Sequence, residues 1–196
     1  MARHLLPGQA PGVEDARVLR RALLDRRDQR IVLSDAERED GRGLGGGRVA
    51  EVRERLGDKL GPLLFQLPPN FKKAPDRLAE TLASLPDGLR AAFEFRHESW
   101  FDDEVYALLR ARNVALCIAD TEEGATPAIA TADFGYLRLR AVEYTDDALR
   151  RWIETIDTVG AGWHDAYVFF KHEDTGSGPA LARRFLALRA GATQLA

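Results

Sequence analysis

The sequence predicts an α/β fold built on parallel strands, and three observations lead there. From Gly61 onward, short β-rich runs alternate with helix-length segments. Such alternation implies parallel strands joined by right-handed crossovers, in either a doubly wound sheet or a (β/α) barrel. Second, the stretch FEFRHESWF, Phe93 to Phe101, compresses a strand, a charged site and a helix start into one short segment. Third, all sixteen aromatic residues lie at or beyond Phe65, although the chain's own 8% frequency would place about five of them earlier. The N-terminal third can therefore form helices but hardly a core of its own.

Each element follows from local pattern. Val13 to Gln29 has Val18, Leu19, Ala22 and Leu23 at helical spacing, and Arg48 to Leu60 repeats this with Val49, Val52 and Leu56. Between them GRGLGGG, Gly41 to Gly47, reads as a linker. Strands are expected at Pro62–Leu67, Ala91–Phe95, Val114–Ala119, Gly135–Leu139 and Ala166–Phe170. Helices fit at Ala74–Leu85, Phe101–Arg112, Asp146–Thr158 and Pro179–Arg189; the third carries Leu149, Trp152, Ile153 and Ile156 on one face. Ser99, three residues before Asp102 and ahead of Val105, Leu108 and Leu109, is the expected N-cap of the second helix. Thr121 to Ala132 shows no period and is expected to be a loop.

Composition bounds the function classes. With 28 basic and 31 acidic residues the net charge is −3, so no global field favours nucleic acid, although a local basic cleft is compatible with it. No apolar run approaches the ~20 residues of a membrane helix, and Cys117 is the single cysteine, so a cytoplasmic protein without disulfides is expected. Within the run VALCIA, Cys117 reads as a small buried hydrophobe. Gly41, Gly43 and Gly46 satisfy G-x-G-x-x-G, yet no strand precedes them, and a dinucleotide fingerprint is not expected there.

Several motifs together resemble a known family. FQLPPNF (Phe65 to Phe71), FEFRHESWF, the strand-ending Asp120, GYLRLR (Gly135 to Arg140) and YVFFKHED (Tyr167 to Asp174) occur in the order and approximate spacing of the domain-of-unknown-function 72, or YecE-like, family. The resemblance covers roughly residues 56 to 190. It implies a TIM-type (β/α) barrel whose biochemical activity is not established, here incomplete, with about five of eight βα units evident. Family members begin with three further strands carrying a Gly-Thr-Ser-Gly-Trp-like segment, which residues 1 to 55 do not match. Two regions are accordingly expected: an Arg/Gly-rich segment over 1–55, arising from a truncated or misread start and packing weakly, and a partial barrel domain over 56–196. Arg140 and Ala141 stand where many members have His-Gly, and Lys171 to Asp174 where Asn and Asp often follow the last strand, which suggests a subfamily.

The site is expected at the C-terminal ends of the strands, where chemistry gathers in this fold. Alternation along a strand puts Phe93 and Phe95 under the helices and sends Glu94 and Arg96 inward. Glu94, Arg96, His97 and Asp120 are the candidate catalytic residues: a carboxylate as general base, an imidazole as proton shuttle and a guanidinium as anion holder. Gln66, Arg138, Arg140, Lys171 and His172 are the candidate ligand contacts. So many cations at one mouth need carboxylates or an anionic ligand beside them. A small anionic or phosphorylated substrate follows, with hydrolysis as the expected reaction and a non-catalytic binding module or an inactive fragment as rivals. Glu94, Asp120, His97 and His172 have metal-compatible donors, but no close ligand spacing calls for a metal, and none is assigned. Asp174 to Pro179 reads as an ordinary strand-to-helix turn, and Trp100 and Phe101 as the packing base of the helix that follows.

Overall fold

Why the sheet runs as it does is visible in the burial of its strands. Leu63–Gln66, Ala91–Glu94 and Phe134–Leu139 are buried at every position, as parallel strands covered on both faces must be. The computed structural model describes residues 30–32, 49, 54–56, 60–170 and 177–193. In chain order its elements are β1 (Arg30–Val32), β2 (Leu63–Gln66), α1 (Pro75–Ser84), β3 (Ala91–Glu94), α2 (Asp103–Ala111), β4 (Ala115–Thr121), β5 (Gly124–Ala125), β6 (Phe134–Leu139), α3 (Asp146–Val159), β7 (Asp165–Phe170) and α4 (Ser177–Thr193). Every strand and helix expected from Gly61 onward is present, with ends shifted by a few residues at most.

The strands lie side by side in the order β1-β2-β3-β4-β6-β7, all parallel, with β5 pairing back on β4. That order never reverses, which selects the singly wound course over a doubly wound sheet. The helices Pro75–Ser84, Asp103–Ala111, Asp146–Val159 and Ser177–Thr193 then fall on one face. Outward residues Phe65, Phe93, Phe95 and Leu116 pack on Leu78 and Leu82 of α1 and on Val105 and Leu109 of α2. Ile118, Leu137, Leu139 and Val168 pack likewise on Leu149, Ile153 and Ile156 of α3 and on Phe185 of α4. The inner face gathers Leu64, Ala92, Ala115, Cys117, Phe134, Tyr136 and Tyr167.

The sheet is strongly curved. Strands three positions apart in a flat sheet would be ~14 Å apart. Yet Arg90, at the start of β3, donates to Asp165 and to the Tyr167 hydroxyl of β7 at 2.8 and 2.7 Å. Gln66 of β2 likewise accepts from Arg138 of β6 at 3.1 Å. Long arginine side chains bridge the concave face from both ends. The result is a curved parallel sheet with alternating helices, as in part of a β/α barrel.

Three expectations are corrected. Strand β1 lies inside the segment expected to pack weakly, and it pairs in register with β2, Ile31 opposite Phe65. The helix expected over Val13–Gln29 and the Gly41–Gly47 linker lie outside the described residues; within Arg48–Leu60, Val49 is helical and buried against the β2–β3 core. Ser99 does not cap α2. His97 caps a single 3-10 turn, Glu98–Trp100, and Asp102 then caps α2 by accepting from the Val105 amide at 3.1 Å. The cause is Trp100, whose ring stacks on Phe95 at 4.6 Å while its indole N–H donates to the Phe71 carbonyl at 2.7 Å. Seating that ring requires the extra turn. Finally, the expected loop at Thr121–Ala132 includes a two-residue hairpin strand, with Gly124 at φ +123°, a conformation that favours glycine. No helix among the described residues is long and apolar enough to cross a membrane.

Candidate functional site

At the C-terminal ends of β2, β3 and β6, three buried polar residues meet. Gln66, Glu94 and Arg138 are only 8%, 3% and 7% exposed. Each ends, or nearly ends, its strand, and each alternates with outward apolar neighbours, so the pleat carries it inward. Arg138 forms an ion pair with the Glu94 Oε2 and donates from the same nitrogen to the Gln66 Oε1. Arg96, just past the strand, donates from Nε to the other Glu94 oxygen, Oε1, at 3.3 Å. One carboxylate therefore orients two guanidinium groups.

The electrostatics of this cluster reach the next layer down. The Cys117 Sγ lies 4.0 Å from the Glu94 Oε2. Burial pushes its thiol well above the ordinary range and the Glu94 charge adds to that, while Arg138 and Arg140 oppose it. Cys117 is thus a buried neutral thiol, as its apolar surroundings in the sequence suggest. Arg140 belongs to the same inner side by parity, and its backbone N–H donates to the Asp120 carbonyl at 2.8 Å. Arg96 differs from Arg138 in being 35% exposed, and among the described residues its guanidinium has Glu94 as its one partner.

Asp120 is the main departure from the sequence reading. Its carboxylate turns away from Glu94 and toward α3, where Oδ2 accepts from the Tyr144 hydroxyl at 2.8 Å and from the Trp152 indole N–H at 3.0 Å. The reason is pleat parity: Ala115 and Cys117 of β4 are on the inner face, Leu116 and Ile118 on the outer, and Asp120 follows the latter. Burial pushes the Tyr144 phenol upward, and the Asp120 carboxylate adds to the shift. The tyrosine therefore remains a donor at neutral pH. Tyr144 and Trp152 are functional-looking residues that the sequence reading did not pair with Asp120. The alternation of small and large residues in VALCIAD was the signal that could have placed it.

His97 does not join the cluster either. Its Nδ1 is hydrogen-bonded to the Ser99 hydroxyl at 2.9 Å and accepts from the Ser99 amide at 3.2 Å. It shapes the turn below Trp100. Lys171 and His172 lie outside the described residues, as does the turn from Asp174 to Gly176. Among the described residues no group of three His, Cys, Asp or Glu side chains is arranged to hold a metal. The structure thus brings together Gln66, Glu94, Arg96 and Arg138 and leaves Asp120 and His97 in separate networks.

Comparison with known proteins gives a consistent picture. The family model described as protein of unknown function DUF72 matches residues 24–195. That match starts about forty residues ahead of Phe65, where the first of the motifs begins, and takes in β1. Among curated proteins none matches the chain. Two similar solved structures are DUF72 family proteins. The one from Thermotoga maritima is 21% identical, with a TM-score of 0.61 over 76% of this chain and 66% of its own. The one from Enterococcus faecalis is 14% identical, with a TM-score of 0.61 over 74% and 66%. At such identities the likeness carries the fold alone. The chain spans about two thirds of the length of either relative.

Proposed function

The chain belongs to the DUF72 family of proteins of unknown function, and on that premise we propose that its working site is the C-terminal rim of a TIM-type (β/α) barrel, built to hold a small anionic or phosphorylated substrate and to hydrolyse it. The observation that carries the binding half is Arg96. Its Nε is held by a buried carboxylate, so the terminal nitrogens of a partly exposed guanidinium are oriented in advance for a forked contact with phosphate or carboxylate. Pre-orientation removes part of the entropy that a free arginine would lose on binding. Gln66, Arg138 and Arg140 line the same rim and complete the proposed ligand contacts.

The chemical half rests on Glu94, which sits within hydrogen-bond reach of the residue that holds the anion and is the natural acceptor for a proton from an attacking water. A binding module without turnover is the second reading. It is favoured by the engagement of both Glu94 oxygens with guanidinium groups, an arrangement suited to fixing geometry.

Thermal-shift screening of phosphorylated metabolites tests both. Ligand stabilisation is expected in the wild type and loss of about tenfold or more in affinity in Arg96→Ala, since a charge-assisted hydrogen bond contributes about 1.5–3 kcal/mol. A ligand shift that survives Arg96→Ala overturns the rim site. Turnover abolished in Glu94→Gln supports the enzyme, and binding with no turnover supports the module.

A further inference from the structure

Outside the rim network lies a cavity of about 370 Å³, lined by Asp120, Ala141, Glu143, Tyr144, Ala148, Arg151, Trp152 and Thr155. Its origin is topological. The connection from β4 to β6 carries no helix, so α3 packs on α4 at one flank, through Asp146–Arg184 and Asp157–Arg189, and among the described residues has no helical neighbour at the other. The stripe left uncovered is Ala148, Arg151, Trp152 and Thr155, successive positions on one helix face. Ala141 and Ala148 keep the space open.

We propose that this cavity is a second ligand site, separate from the Glu94–Arg138 network, which takes a small compound carrying a protonated amine or guanidinium on a compact apolar body. Asp120 is the anchor. Its Oδ2 is fixed by two donors, while among the described residues its Oδ1 accepts no hydrogen bond. Both donors are neutral, so they hold the carboxylate in place without cancelling its charge. Glu143 and Arg151 offset one another at the lining, and the net charge facing a ligand is that of Asp120. The Tyr144 and Trp152 rings form the walls, and aromatic surface beside a carboxylate favours a cation with apolar substituents. The volume is at the lower end of the range for small-molecule sites.

Calorimetric titration of the full chain with benzylammonium, benzyl alcohol and benzoate, matched in shape and different in charge, tests the proposal. Benzylammonium is expected to bind, benzyl alcohol at least about tenfold more weakly, and benzoate not at all. Asp120→Asn is expected to weaken benzylammonium about tenfold or more, and Arg151→Ala to strengthen it by removing a like charge. Ala148→Leu, which fills the cavity from an accessible helix position, is expected to abolish binding and serves where Asp120→Asn fails to fold. Arg96→Ala leaves the affinity unchanged, which separates this site from the rim. Equal affinity for the three probes, no benzylammonium binding at millimolar concentration, or undiminished binding in Ala148→Leu overturns it.

Discussion

Replacing Arg138 with methionine is the sharpest test of how the interior is held. The substitution keeps the length and apolar stem of the side chain but removes the guanidinium from a position 7% exposed, opposite a carboxylate 3% exposed. Glu94 would then keep Arg96 as its one cationic partner among the described residues, at 3.3 Å and from the more exposed side, and the Gln66 amide oxygen would lose its donor. Breaking a buried ion pair by deleting one member costs about 3–5 kcal/mol, and the orphaned amide adds about 1 kcal/mol. For a chain of this size each kcal/mol lowers Tm by about 2–4 °C, so a fall of roughly 8 °C or more is expected. Urea unfolding followed by circular dichroism gives the free energy directly. The double variant Glu94→Leu/Arg138→Met removes both charges and is expected to recover most of the loss, because an apolar pair carries no desolvated charge. A single variant costing less than about 1 kcal/mol, or a double variant as unstable as the sum of the singles, would refute the claim that the pair is buried and coupled.

Three further outcomes are expected. Gly135→Ala would place a Cβ about 2.2 Å from the Trp163 ring, whose side chain is buried, so a destabilisation of about 1–3 kcal/mol is expected; Gly162→Ala, with open space around it, is the control and should change little. The Asp102 carboxyl is held below its ordinary value of 3.8, first by the hydrogen bond from Lys73 and then by the Val105 amide. Because the unfolded chain then binds the extra proton, the contribution is present above about pH 4 and is lost as pH falls through the lower folded value. Asp102→Asn, which retains a capping oxygen, should show a Tm deficit near neutral pH that shrinks in acid; a deficit that persists there would disprove the link. The Cys117 thiol, buried and pushed upward, should resist a thiol-reactive dye in the native state and react only on unfolding, and rapid labelling of folded protein would contradict its placement.

What the sequence disclosed, and what it concealed, follows from how far each signal reaches. Strands such as Ala91–Glu94 and helices such as Asp146–Val159 were legible because their periodicity is local and tertiary packing agrees with it. Glu94 and Gln66 were legible as rim residues for the same reason, since phenylalanines one position away fix the outward face. The N-cap of α2 was not, because a contact across the fold, Trp100 to the Phe71 carbonyl, moves the helix start from Ser99 to Asp102. Strand β1 was missed because three residues, RIV, carry too short a pattern to register against an arginine-rich background. The facing of Asp120 was not legible from its position at a strand end, because the face is set by the side-chain volumes preceding it, small inside and large outside.

Those volumes also explain how the network closes. Arg138 pairs in register with Ala119, so its side chain must pass across β4 to reach Glu94 on β3 and Gln66 on β2. It can do so because β4 offers the inner face small side chains, Ala115, Cys117 and Ala119, up to the level of Arg138, while its bulk, Leu116 and Ile118, is outside. A leucine at 119 would occupy the path of the guanidinium. The same alternation sends Asp120 outward, against Tyr144 and Trp152. One pleat therefore clears a channel for a cation on the concave side and delivers a carboxylate to the cavity on the helical side. The two proposed sites share a strand yet use opposite faces of it, and a perturbation of one through Arg96 need not disturb the other.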